Sequence, residues 1–133
     1  MMSLTDAQRA EIRFDDAGLI PAIVQQHDTG EVLMMAWMNR AALAETLETG
    51  QVCYWSRSRQ KLWRKGESSG QIQRLIECRV DCDGDTVLLR VDQTGVACHT
   101  GRRSCFFRRA ARDGLREIDM QAVDPKSLYG GSS

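Results

Sequence analysis

The residues able to do chemistry are concentrated between positions 81 and 105. Asp81-Cys82-Asp83-Gly84-Asp85 is followed by Cys98-His99-Thr100-Gly101-Arg102-Arg103-Ser104-Cys105. Thiolates are soft ligands suited to zinc, whereas clustered carboxylates are hard oxygen ligands suited to magnesium or calcium. The paired C-x-x-C of a zinc ribbon is missing, which argues against a structural finger. Cys82, Cys98 and Cys105 as the three ligands of a Zn2+ ion leave one coordination position for water, the pattern of a catalytic site.

Asp81, Asp83 and Asp85 admit two readings. Asp-Gly-Asp is a common solvated hairpin turn. Alternatively, three carboxylates this close repel one another unless a cation neutralises them, which points to Mg2+. Along an extended strand, Asp81 and Asp83 would lie on the face opposite Cys82. A calcium loop of EF-hand type is excluded, because Thr86 occupies its sixth position and Asp92 its twelfth. Beside a candidate ligand and a small Thr-Gly pair, His99 is a candidate general acid/base. The other histidine, His27, reads as a hairpin surface residue, and Cys53 and Cys78 as small apolar fillers within strands.

The frame carrying these groups is one domain. A chain of 133 residues is near the commonest domain size and buries enough surface to fold without disulfides. Eighteen basic residues balance eighteen acidic ones, which argues against a general nucleic-acid binder. Locally basic stretches (Arg57 to Lys65, Arg102 to Arg112) remain suited to small anions such as phosphate. No apolar run has membrane-spanning length, so no membrane partner is expected. Five cysteines with no secretory signal point to a reducing cytoplasm.

Local signals order the elements. Thr5 caps a helix to about Ile12, an N-terminal arm. Ala22 to His27 and Glu31 to Trp37 form a hairpin around Asp28-Thr29-Gly30. Asn39 caps a second helix that ends at Gly50. Gln51 to Ser56 is a strand, and residues 57 to 70 a long functional loop. The even positions from Ile72 to Cys82 give one apolar strand face. Thr86 to Val91 returns, Cys105 to Arg109 adds a last strand, and a tail begins near 120. The expected class is α+β, mostly antiparallel sheet with two or three short helices.

Taken together, these segments resemble phosphoribosyl-AMP cyclohydrolases. The resemblance rests on Val32 to Asn39, Tyr54-Trp55-Ser56-Arg57-Ser58-Arg59, Trp63-Arg64-Lys65-Gly66-Glu67-Ser68-Ser69-Gly70, Asp81 to Asp85, and Cys98 to Gly101 through Ser104-Cys105-Phe106. It covers most of residues 19 to 107. It implies hydrolysis of the N1–C6 bond of phosphoribosyl-AMP, a small-molecule nucleotide, in the third step of histidine biosynthesis. It also implies an intertwined homodimer in which Cys82 of one chain joins Cys98 and Cys105 of the other around zinc, with Asp81, Asp83 and Asp85 on Mg2+. His99 would transfer the proton. Ser56, Arg57, Ser58 and Arg59 are suited to one substrate phosphate, and Lys65, Glu67, Ser68 and Ser69 to ribose or phosphate. Trp55 and Trp63 either stack on the purine or serve core and interface. Arg102 and Arg103 either face a phosphate or form a surface pair. A fused pyrophosphate-removing domain, present in some relatives, is not expected.

Overall fold

The computed structural model describes residues 4–122 and 124–126. Thr5 and Asn39 each accept a helix N–H, from Gln8 and Ala42, and start α1 (Asp6–Ala10) and α2 (Arg40–Thr49). Gly50 closes α2 in the left-handed conformation (φ 76°) that glycine adopts without strain. α1 ends at Ala10, short of Ile12. The tail expected from about 120 lies mostly outside the described residues.

The core is a four-stranded sheet made of β1 (Ile20–Gln26), β2 (Val32–Met38), β5 (Gln73–Val80) and β6 (Val87–Gln93), in the order β2-β1-β6-β5. Two hairpins complete the described fold: β3 (Cys53–Ser56) with β4 (Lys61–Arg64), and β7 (Arg108–Ala111) with β8 (Gly114–Glu117). One sheet face is buried. Ala22, Val24, Val87, Leu89 and Val91 pack with Leu43, Leu47 and Tyr54 in a single cluster.

Three expectations change. The sheet is mixed rather than wholly antiparallel, because β1 and β6 pair in parallel (Ala22 with Val87 through Gln26 with Val91). Such a pair is joined by a long crossover, here residues 27 to 86, and local signals do not encode it. β5 does not keep one apolar phase: a bulge between Leu75 and Glu77 moves Ile76 outward and lets Cys78 face Leu89. Part of the polar stretch 57–70 is ordered as β4, and the last strand begins at Arg108 and returns as β8.

The opposite sheet face is uncovered. Met35 lies beside Ile23, Ile23 beside Leu88, and Pro21 beside Trp37. Met35 and Ile23 are exposed, and Leu88 and Trp37 half-buried. Among the described residues no strand or helix packs over Met35, Ile23 and Leu88 in this row.

Candidate metal centre and substrate cleft

The loop from Val96 to Cys105 is held from several sides. Its own backbone closes it: Ala97 N–H donates to the Arg103 carbonyl (2.9 Å), Cys98 N–H to Arg102 (3.1 Å) and Gly101 N–H to Cys98 (3.0 Å). The neighbouring strand grips its far end, where Cys105 N–H donates to the Leu33 carbonyl and Ser104 Oγ to that of Val32, both at 2.7 Å. A buried polar chain supports it from below. Tyr54 OH donates to Gln73 (2.6 Å), Gln73 Nε2 to Gln93 (2.8 Å), and Gln93 Nε2 to the carbonyls of Gly95 and Arg103. Burial holds the Tyr54 hydroxyl far above its usual pKa, so it stays a donor.

This scaffold brings Cys98 and Cys105 into contact. Burial, with the neighbouring Cys98, pushes the Cys105 thiol up to about 12, and the Lys65 ammonium opposes that rise. Thr100 Oγ1 donates to Cys98 Sγ at 3.0 Å. Two adjacent sulfurs are a donor pair suited to a soft dication. His99 is exposed at the apex of the loop.

The carboxylate set is built differently. β5 ends at Val80, and residues 81–85 form a turn rather than extended strand, with Asp81 N–H on the Thr86 carbonyl and Gly84 N–H on that of Asp81. The turn brings one oxygen each of Asp81, Asp83 and Asp85 within 4.8 Å of one another. Gly84 is buried against the end of α1. Arg13 N–H donates to its carbonyl at 2.6 Å, and a Cβ there would collide with the Glu11 carbonyl oxygen. Desolvation works against ionisation of Asp81, yet the backbone N–H groups of Asp85, Thr86 and Gly84 keep its carboxyl below the usual range. The hydrogen bond and charge of Asp81 raise Asp85. Three convergent carboxylate oxygens fit a hard cation. Among the described residues this is the one group of three His, Cys, Asp or Glu ligands close enough to share an ion. Cys82 is exposed beside it and does not meet Cys98 and Cys105 within one chain.

The proposed phosphate residues gather on the β3–β4 hairpin and the segment after it. Ser56 Oγ lies 3.4 Å from Ser58 Oγ and accepts from the Arg59 N–H and Nε at 3.3 and 3.4 Å. Arg57 stacks 4.8 Å from the Trp37 ring centroid. A cleft of about 570 Å³ is lined by Arg59, Lys65, Glu67, Ser68 and Ser69, with Trp63 in its wall. Trp63 also packs on Tyr54 (ring centroids 5.4 Å apart), so it serves the core. Other basic residues are already engaged. Arg64 forks onto Glu45 with two 2.9 Å bonds, Arg102 pairs with Glu117, and Arg103 with Glu31, both at 3.0 Å.

The family model described as phosphoribosyl-AMP cyclohydrolase matches residues 34–107, a span that includes Cys82, Cys98, His99, Cys105, the three aspartates of the turn and the cleft residues. The chain belongs to the phosphoribosyl-AMP cyclohydrolase family. A phosphoribosyl-AMP cyclohydrolase of Alkalilimnicola ehrlichii is 69% identical over 120 residues, covering 90% of this chain and 84% of the relative. That of Acidiphilium cryptum is 74% identical over 106 residues, covering 80% and 91%. That of Rhodospirillum rubrum is 64% identical over 127 residues, covering 95% and 89%.

Reading the sequence did not reveal the Tyr54–Gln73–Gln93 chain or the burial of Lys65. The one signal for the former was glutamine at inward-facing positions of β5 and β6, where an apolar residue is the default.

Proposed function

We propose that this chain hydrolyses the N1–C6 bond of phosphoribosyl-AMP with the groups described above. Family membership carries the activity itself, a hydrolytic step of histidine biosynthesis. The single observation that carries the residue assignment is the Cys98–Cys105 thiol pair, held beside an exposed His99 by so many bonds to neighbouring strands. Cys98 and Cys105 of one chain, with Cys82 of a second, hold zinc; Asp81, Asp83 and Asp85 hold Mg2+. Zinc supplies the Lewis acidity that makes a nucleophile of water near neutral pH.

The chain's own residues do the rest. Ser56, Arg57, Ser58 and Arg59 present hydroxyls and guanidinium forks to one phosphate. Ser68 and Ser69, with Glu67, line the cleft for ribose or the second phosphate, and Lys65 borders both cleft and thiols. His99 accepts a proton from the attacking water and returns it to N1 as the tetrahedral carbon collapses and N1–C6 breaks.

Two features support the homodimer. The zinc ligands are incomplete in one chain, and the row of Met35, Ile23, Leu88 and Trp37 is an apolar sheet face open to a second copy. Most of the buried apolar residues belong to one cluster, which supports a single domain over residues 1–133. Free thiols fit a reducing cytoplasm; no helix among the described residues is long and apolar enough to cross a membrane.

His99→Ala tests the assignment. Turnover, followed by the absorbance change on ring opening, falls about 10²–10⁴-fold while zinc content stays at the wild-type level. Unchanged turnover removes His99 from the mechanism.

A further inference from the structure

Lys65 is the only formally charged side chain among the described residues that is buried, with 7% of its surface exposed. Burying an ammonium without an anion is costly, and such groups are normally paired. No carboxylate pairs with Lys65 in the salt bridges of the described residues. Its Nζ donates one hydrogen bond, to the Ala97 carbonyl at 2.9 Å, and lies 5.3 Å from the Trp63 ring centroid. An ammonium has three donors, so capacity remains. The loop whose carbonyl it holds is the one that carries Cys98 and Cys105. Ala97 is the residue immediately before Cys98, so the same contact fixes the ammonium to the backbone of the thiol loop.

We propose that Lys65 is the built-in counter-charge of the Cys98–Cys105 pair, a positioning residue that balances the thiolates when they take up zinc, rather than a substrate-phosphate ligand. This rests on the zinc reading given above. Three thiolates around Zn2+ leave a net charge of −1, and a partly buried net charge is penalised unless compensated. The tail of Lys65 supplies that compensation from within one chain, before any second chain contributes Cys82.

The rival reading makes Lys65 a mechanical clamp on the Ala97 carbonyl. The two are separated on full-length, metal-stripped protein by zinc competition with a chromophoric chelator, together with the metal-free thermal midpoint. Lys65→Met keeps length and removes charge; Lys65→Arg keeps charge; Lys65→Gln is the second neutral variant should Lys65→Met fail to fold. The counter-charge predicts that the neutral variants bind zinc at least about tenfold more weakly, one pKa unit of a single thiol. It predicts Lys65→Arg within about threefold of wild type, and a metal-free midpoint for the neutral variants no lower than wild type. Neutral variants that bind zinc as tightly as wild type overturn the inference, as does an equal loss in Lys65→Arg. Wild-type protein that binds no zinc overturns the metal assignment itself, and this inference with it.

Discussion

The turn at 81–85 and the loop at 96–105 both present metal-type donors, but they are built on opposite principles. The turn gathers three hard carboxylates in one chain, on the surface, with Gly84 wedged against the end of α1 as its main anchor. The loop holds two soft thiols over a buried amide chain and beside a buried ammonium, with strand β2 at its far end. The turn gathers its three oxygens on the surface of one chain, whereas the loop brings two thiols together and leaves Cys82 elsewhere. A hard ion can be exchanged at the surface at little cost, whereas a catalytic soft ion must be held in a fixed position. Cys82 sits on the turn, so the zinc site proposed above would draw its third thiol from the other metal-type element.

Substitutions divide along this contrast. Cys105→Ser should abolish zinc retention and lower turnover by about a thousandfold or more, because the Lewis acid is lost. Metal analysis and steady-state rates on the same preparation check both. Asp83→Asn should be milder, leaving zinc content intact while weakening Mg2+ affinity roughly tenfold, as one ligand charge of three is removed. Calorimetric Mg2+ titration measures it, and loss of zinc on Asp83→Asn would erase the division between the sites.

The smallest effect concerns a thiol outside both regions. Burial pushes Cys53 up to about 12, with help from Glu45. Its unfolded counterpart ionises near about 8.5. The folded state therefore keeps a proton that the unfolded state loses, so stability falls as pH rises from about 9 to about 12, by up to ~1.4 kcal/mol per pH unit. Cys53→Ala should flatten that alkaline decline in thermal midpoint without changing zinc content. A decline of unchanged slope would show that other groups dominate it.

What was legible in the sequence follows from how local each cause is. Asn39 with Gly50, Thr5 with Gln8, and the hairpin at Asp28-Thr29-Gly30 act within a few residues, and they were readable. The parallel pairing of β1 with β6 depends on a sixty-residue crossover, and the bulge at Leu75/Glu77 shifts the side-chain phase without any glycine or proline to mark it. At the sites, the donors themselves were plain because Cys, His and Asp declare their chemistry. Lys65 was not. In the sequence it reads as a ribose or phosphate contact, and only the structure shows it buried against Trp63 and Ala97.

The central claim is that zinc is completed across two chains, and subunit mixing tests it most directly. Cys82→Ser and Cys98→Ser are each expected to be inactive alone. A mixed dimer would contain one site in which Cys98 and Cys105 of the first variant meet Cys82 of the second, all wild type. Unfolding and refolding the two variants together with zinc should restore about one quarter of wild-type activity by random pairing. If the mixture stays as inactive as its parents while refolded wild type recovers, the zinc site is not shared between chains.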